Sequence, residues 1–154
     1  MLLAVGRKPN TEGLGLENVG IAFDRKGITV DDNMLTNVPH VYAVGDVNGR
    51  QMLAHAAEMQ GKRAVNHILG EADGICFDIM PAAIFTNPEA ACVGKTEDQL
   101  KAEGTEYICQ KHYYRANGKA VAMNETEGML KLLADKDGKI IGCHVFGAHA
   151  ADLV

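Results

Sequence analysis

The chain has 154 residues, of which 47% are hydrophobic and 23% charged, and its formal net charge is −5. This composition is typical of a globular protein with one ordinary or two small domains. The negative charge argues against nucleic-acid binding, which requires basic surfaces. No apolar run approaches the ~20 residues that span a membrane, and residues 1–5 lack the basic leader of a signal peptide. We therefore expect no nucleic-acid partner, no membrane contact and a cytoplasmic location.

The cysteines and histidines do not form recognisable ligand or redox motifs. No two of the cysteines are spaced as C-x-x-C or C-x-x-x-x-C, and the six histidines include no ligand-like pair four residues apart beside a carboxylate. The cysteines are Cys76, Cys92, Cys109 and Cys143. This spacing predicts free thiols in a reducing compartment and no metal site.

The first forty residues read as short extended pieces separated by turns. Residues 1–5 are continuously apolar and predict a strand, and residues 6–10 (G-R-K-P-N) predict a turn. Residues 13–20 contain G-x-G-x-x-x-x-G, which follows a turn and lacks the spacing of a dinucleotide-binding loop, so we interpret them as a connector. Residues 21–23 and 27–30 predict two short strands joined by a turn.

Residues 41–69 carry the strongest pattern. The run V-Y-A-V at 41–44 predicts a buried strand, and a polar loop follows Gly45-Asp46. A helix is predicted from Met52 or Leu53 onward, because apolar residues recur near every 3.6 positions through residues 68 and 69. Gly70 is the expected residue at the end of that helix.

This arrangement has a chemical interpretation and a structural one. The Asp46 carboxylate, just past a strand, can accept hydrogen bonds from ligand hydroxyls such as those of a sugar alcohol. The free N–H groups and positive dipole end of the following helix can face an electron-rich ligand atom. Alternatively, Asp46 only ends a strand and the helix only packs, and spacing alone does not decide between the two.

Residues 71–81 predict a domain boundary, after which the pattern becomes antiparallel. Strands are predicted at residues 82–86, 90–94, 107–114, 127–134 and 139–147, with a hairpin turn at 135–138. Thr96 and Gln99 form a predicted capping box for a helix over residues 97–103. Residues 116–123 are compatible with a helical turn or an extended piece, and residues 148–154 predict the start of a helix.

Two groups of motifs resemble the pyridine nucleotide–disulfide oxidoreductase family. Residues 41–47 (V-Y-A-V-G-D-V) followed by M-L-A-H resemble its second FAD-contacting motif, in the form typical of its dihydrolipoamide dehydrogenase branch. The resemblance implies that Gly45 and Asp46 contact the ribityl side of FAD. It also implies that Met52, Leu53, Ala54 and His55 lie against the pyrimidine side of the flavin ring. Residues 4–10 resemble the segment closing the NAD-binding domain, in which the glycine matching Gly6 approaches the nucleotide.

The second group of motifs lies after residue 79. Residues 84–89, 93–97 and 142–153 resemble the C-terminal interface domain of the same family. The implied fold is α/β and α+β: residues 1–78 close an NAD-binding domain and form the C-terminal part of an FAD-binding domain, and residues 79–154 form an antiparallel sheet with helices. The implied partners are a second copy of the chain and a lipoamide-bearing protein or small dithiol or disulfide.

The family motifs absent from these residues limit the expected activity. The family's glycine-rich FAD loop, its C-x-x-x-x-C disulfide and its C-terminal His-Glu pair do not occur here. We expect the isolated chain to be catalytically inactive and to hold FAD weakly, with NAD bound only in the parent enzyme. His144 and His149 are not expected to replace the catalytic histidine. The alternatives are a free-standing dimerisation module, or part of an NADH oxidase or mercuric reductase, whereas L-A-H at residues 53–55 argues against a glutathione reductase.

Overall fold

The computed structural model describes all 154 residues and divides them into two compact units, Met1–Ile75 and Cys76–Val154. The division falls close to the boundary predicted after residue 78. No helix in either unit is both long enough and apolar enough to cross a bilayer.

The first unit contains a small hairpin and one long helix. Strands β1 (Phe23–Asp24) and β2 (Gly27–Ile28) pair antiparallel, so the predicted hairpin is confirmed with shorter strands. Helix α1 spans Ala54–Leu69, and short 3-10 helices span Leu16–Val19 and Gly45–Asn48. A small apolar core packs the hairpin against the residues around it and is formed by Leu16, Ile21, Ile28 and Ala43.

Helix α1 begins one or two residues after the predicted start and ends at the predicted glycine. The N–H of Gly70, at φ 72°, bonds to the carbonyl of His67, and the N–H of Glu71 bonds to that of Asn66. This paired pattern is the glycine-terminated C-cap expected at that position. The apolar positions of the helical pattern are not all buried, because Ile68 and Leu69 are more than 60% exposed. The buried stripe consists instead of Ala56, Gln60 and Ala64.

Two predicted strands do not form. Residues 41–44 make one isolated bridge, between Tyr42 and Leu35, and Val44 is 40% exposed. Residues 1–5 are exposed and form no strand. Continuous apolar runs become strands when neighbouring strands supply hydrogen bonds along both edges. The only sheet of this unit is the two-stranded hairpin, so these runs have no such neighbours.

The second unit is a five-stranded antiparallel sheet with short helices. Its strands are β3 (Ala82–Ile84), β4 (Glu89–Gly94), β5 (Ile108–Tyr113), β6 (Gly128–Ala134) and β7 (Ile140–Gly147). Their order is β3-β4-β7-β6-β5, which places β7 in the centre. All five strand predictions are confirmed within a few residues, as is the antiparallel class of the sheet.

Three short helices complete the second unit. Helix α2 (Glu97–Ala102) begins at the predicted capping box, in which Thr96 and Gln99 each satisfy the other's backbone N–H. The ambiguous stretch forms helix α3 (Gly118–Ala122), capped by the Asn117 side chain. Helix α4 spans Ala150–Leu153. The core packs α3 and α4 against one face of the sheet and includes Ala91, Tyr114, Ala120, Val145 and Ala150.

Candidate functional site

The turn Gly45–Asn48 is fixed to α1 by one buried side chain. Gln60 is 1% exposed, and its Oε1 accepts hydrogen bonds from the Gly45 N–H at 2.7 Å and from Asn48 Nδ2 at 2.8 Å. Asn48 Nδ2 also donates to the Ala43 carbonyl at 2.9 Å. Since buried polar groups are costly unless they are paired, this network holds the turn in one position on the helix.

Asp46 lies in this turn with its carboxylate facing outward. Its side chain is 47% exposed, and Oδ2 is 3.5 Å from Nη2 of Arg7, whose side chain is 79% exposed. An exposed ion pair of this length contributes little energy. The carboxylate is therefore a rigidly mounted acceptor that a hydroxyl-bearing ligand can reach.

The N-terminus of α1 has no side-chain cap. The N-cap position is occupied by Leu53, with φ −134° and ψ 135°, and the first turn contains no acidic residue. Leucine has no acceptor atom, so the backbone N–H groups of the first turn are not satisfied by a side chain at this position. Met52 and Leu53 are half-buried, whereas Ala54 and His55 are exposed. This end of the helix favours an electron-rich ligand atom.

The loop between the turn and α1 is held against the hairpin. A Cβ on Gly49, which has φ 66°, would lie 1.8 Å from the carbonyl oxygen of Lys26, so only glycine allows this close approach. Arg50 follows, and its guanidinium donates to the Asp31 carbonyl at 2.8 Å and to the Asp32 carboxylate at 3.0 Å.

A second ionic network ties the end of the first unit to α1. Arg63 Nε donates to both carboxylate oxygens of Asp73 at 2.8 Å, and Nη2 donates to the Ile75 carbonyl at 2.6 Å. The Arg63 hydrogen bonds lower the pKa of Asp73 to about 2, against the opposing effect of burial, with further support from the Ile75 N–H and Asn66 Nδ2. Asp73 is therefore ionised, and its ion pair with Arg63 has a structural role.

A largely apolar cavity of about 290 Å³ lies in the second unit. Tyr114 lines it and donates to the Ala148 carbonyl at 2.9 Å, and burial raises the pKa of this phenol. The two histidines singled out in the sequence serve local structure. His144 Nε2 is 3.0 Å from the Lys95 carbonyl, and His149 is the N-cap residue of α4, with Nδ1 3.5 Å from Asp152.

The structure assembles part of the predicted site and adds three residues to it. Gly45 and Asp46 lie in a turn packed on α1, the helix whose first turn follows Met52 and Leu53. Arg7, the residue after Gly6, lies beside Asp46. The sequence did not indicate this contact. The supporting roles of Gln60 and Asn48 were also missed. A signal for Gln60 existed, since it is the one polar residue in the stripe Ala56, Gln60 and Ala64.

The chain belongs to the pyridine nucleotide-disulphide oxidoreductase family. Residues 1–61 match the model described as pyridine nucleotide-disulphide oxidoreductase, and residues 80–154 match the model described as the dimerisation domain of that family. The two matches follow the same order as the two compact units.

Within this family the chain is similar to dihydrolipoyl dehydrogenases. It is 46% identical to that of Cupriavidus necator over 156 residues and 45% identical to that of Bacillus subtilis. Each alignment covers all of this chain and 33% of the relative, so the chain spans about one third of those proteins.

Solved structures give the same relationship. LpdA of Mycobacterium tuberculosis matches 94% of this chain, and 32% of its own, with a TM-score of 0.84 and 35% identity. RclA of Escherichia coli, a flavoprotein disulfide reductase, matches 97% of this chain and 35% of its own, with a TM-score of 0.81 and 28% identity.

Proposed function

We propose that the chain is the C-terminal part of an FAD-dependent, NAD-linked oxidoreductase of the dihydrolipoamide dehydrogenase type. In this role the first unit supplies one wall of the flavin site and the second unit supplies the contact with a second copy. The proposal is carried by 45–46% identity to dihydrolipoyl dehydrogenases together with an exposed carboxylate in a turn that packs on α1, a helix whose N-terminus has no side-chain cap.

The described residues suit one side of a flavin. Asp46 would accept hydrogen bonds from ribityl hydroxyls, and the Gln60 network fixes the turn that carries it. The first turn of α1, after Met52 and Leu53, would offer its N–H groups and positive dipole end to the pyrimidine side of the flavin. The flavin, when bound, supplies the two-electron relay between a dithiol and NAD. Gly6 is the residue proposed to lie near the nicotinamide nucleotide.

We further propose that the 154-residue chain alone does not catalyse this reaction. Dithiol oxidation needs two cysteines close enough to form a disulfide. The four cysteines are free, and Cys92 and Cys143, on neighbouring strands β4 and β7, project from opposite faces of the sheet. The isolated chain is expected to bind FAD weakly, because the proposed wall contributes only part of the ligand's contacts.

A chimera tests the proposal. The aligned region of the Bacillus subtilis dihydrolipoyl dehydrogenase, 45% identical, is replaced by this chain. The chimera is expected to purify with about one FAD per subunit and to form NADH from dihydrolipoamide. A folded chimera without flavin would contradict the proposed wall.

A dimerisation module without catalysis is the second candidate, favoured by the family match over residues 80–154 and by the compactness of Cys76–Val154. It predicts a chimera that is dimeric but free of flavin. Absorbance near 450 nm per mole of protein, measured together with the molar mass in solution, separates the two candidates.

A further inference from the structure

The cavity of the second unit lies between the sheet and two helices. Its floor includes His112 and Leu130, which are opposite one another on β5 and β6 and therefore point to the same face. Ala120 of α3 and Leu153 of α4 line its sides. An apolar cavity of ~150 Å³ holds a benzene molecule, so the volume of about 290 Å³ is sufficient for a ligand body of about ten non-hydrogen atoms.

Tyr114 is held at both ends of its side chain. A Cβ on Gly128 would lie 2.8 Å from Cγ of the tyrosine ring, and a Cβ on Gly147 would lie 2.6 Å from Cε2. These two glycines are opposite one another on β6 and β7, so they leave room for the ring to lie against the sheet. The hydroxyl is fixed by its hydrogen bond to the Ala148 carbonyl at 2.9 Å. Because the ring is fixed in this way, Tyr114 lines the cavity and does not fill it.

The helices beside the cavity begin at N–H groups that already have acceptors. Asn117 Oδ1 accepts hydrogen bonds from the N–H groups of Lys119 at 3.0 Å and Ala120 at 3.1 Å, at the start of α3. Glu89 of β4 accepts a hydrogen bond from the Ala151 N–H of α4 at 3.0 Å. The polar group of a ligand must therefore be met by side chains at the rim of the cavity.

The polar side chains at this rim are mostly hydrogen-bond donors. Lys119 carries the one permanent positive charge of the lining, and its ammonium forms no ion pair. The Asn117 amide nitrogen is a further donor, since Oδ1 caps α3. Glu125 is the one acidic residue of the lining, and His149 already pairs with Asp152 at 3.5 Å. The exposed polar residues of the lining are His112, Asn117, Lys119, Glu125 and His149.

We propose that this cavity binds a small apolar carboxylate, with its hydrocarbon body between the sheet, α3 and α4 and its carboxylate at the rim beside Lys119. Burial of the body removes apolar surface from water, while the charged group stays at the rim, where water reaches it. The site belongs to the second unit alone and does not depend on the proposed flavin site. An amine attracted to Glu125 and a neutral apolar molecule are the competing occupants.

Three compounds that share one hydrocarbon body and differ in their polar group test the proposal. They are 4-phenylbutyrate, 4-phenylbutylamine and 4-phenylbutan-1-ol, titrated into the isotope-labelled chain while amide resonances are followed by NMR. The carboxylate is expected to shift the amides of Ala120, Leu130 and Ala148, with a dissociation constant of about 1 mM, as is usual for so small a ligand. The amine and the alcohol are expected to bind about 5-fold more weakly or less.

Two lysine variants test the contact with the carboxylate. Lys119→Gln is expected to weaken binding of 4-phenylbutyrate about 5-fold and to leave binding of the alcohol unchanged. Lys111→Gln is the matched control, because Lys111 precedes His112 on β5 and points to the other face of the sheet. The amide spectrum of each variant verifies that it is folded.

Three results would overturn the proposal. The first is that 4-phenylbutyrate does not shift the amides around the cavity. The second is that the amine or the alcohol binds as tightly as the carboxylate, which would assign the cavity to one of the competing occupants. The third is that Lys119→Gln and Lys111→Gln bind 4-phenylbutyrate equally well.

Discussion

Gln60 illustrates how one buried polar residue can organise a surface site. Its Oε1 is the acceptor for the Gly45 N–H, and it shares Asn48 Nδ2 with the Ala43 carbonyl. The hydrogen bonds lie inside the unit, while the neighbouring carboxylate of Asp46 faces outward. The position of the proposed ligand-binding carboxylate is thus set by a buried residue of α1.

Replacing Gln60 with leucine is expected to lower the free energy of unfolding by about 2–3 kcal/mol, because the Gly45 N–H becomes a buried donor without an acceptor. Denaturant titration followed by circular dichroism measures this. Glu58→Leu, an exposed position on the same helix, is expected to change stability by less than about 0.5 kcal/mol. Equal effects at the two positions would show that the Gln60 network does not hold the turn.

Asp73 gives the first unit an acid-dependent contribution to stability. Its pKa is lowered from 3.8 to about 2 by Arg63, so the unfolded chain binds this proton more readily than the folded one. The contribution is complete above pH 4 and is lost as the pH falls toward 2. Asp73→Asn is therefore expected to flatten the dependence of stability on pH in that window.

Thermal unfolding between pH 5 and pH 2 measures this dependence, with Glu71→Gln, a nearby exposed position, as the matched control. If the unfolding temperatures of Asp73→Asn and of the unmodified chain fall in parallel with pH, the Arg63–Asp73 ion pair is not the source of the acid sensitivity.

At the scale of elements, local signals were sufficient where the structure depends on local contacts. The capping box at Thr96 and the glycine C-cap of α1 could both be predicted from the sequence, because hydrogen bonds within a few residues define them. Residues 41–44 were misread, since whether an apolar run pairs depends on distant strands. The exposure of Ile68 and Leu69 has a similar reason. Periodicity identifies the apolar face of α1, but the packing partner determines which part of that face is buried.

The close approach of the hairpin to the loop before α1 predicts unequal effects at two glycines. Gly49→Ala is expected to cost about 3 kcal/mol or more, because its Cβ would collide with the Lys26 carbonyl. Gly70→Ala, with similar φ but nothing within 4 Å, should cost only the ~1–2 kcal/mol of a left-handed backbone. Chemical denaturation of both variants measures the loss of unfolding free energy. Equal losses would mean that the close contact between Gly49 and the Lys26 carbonyl does not affect stability.

At the scale of the whole molecule, the antiparallel class of the second unit could be predicted, but the order β3-β4-β7-β6-β5 could not. That order pairs β7 with the distant strand β4 as well as with β6, its neighbour in sequence. For the candidate site, the resemblance identified Asp46 and the start of α1. Sequence alone did not show that Gln60 joins them, because the partners are twelve or more residues apart.

The proposed flavin site depends most on Asp46 as the acceptor for the ribityl side chain. The measurement is the dissociation constant for FAD of the Bacillus subtilis chimera carrying Asp46→Ala, beside the same chimera carrying Glu17→Ala at an exposed position. Loss of charge-assisted hydrogen bonds is expected to weaken FAD binding about 10- to 100-fold for Asp46→Ala and to leave Glu17→Ala unchanged. Equal affinities in the two chimeras would contradict the account.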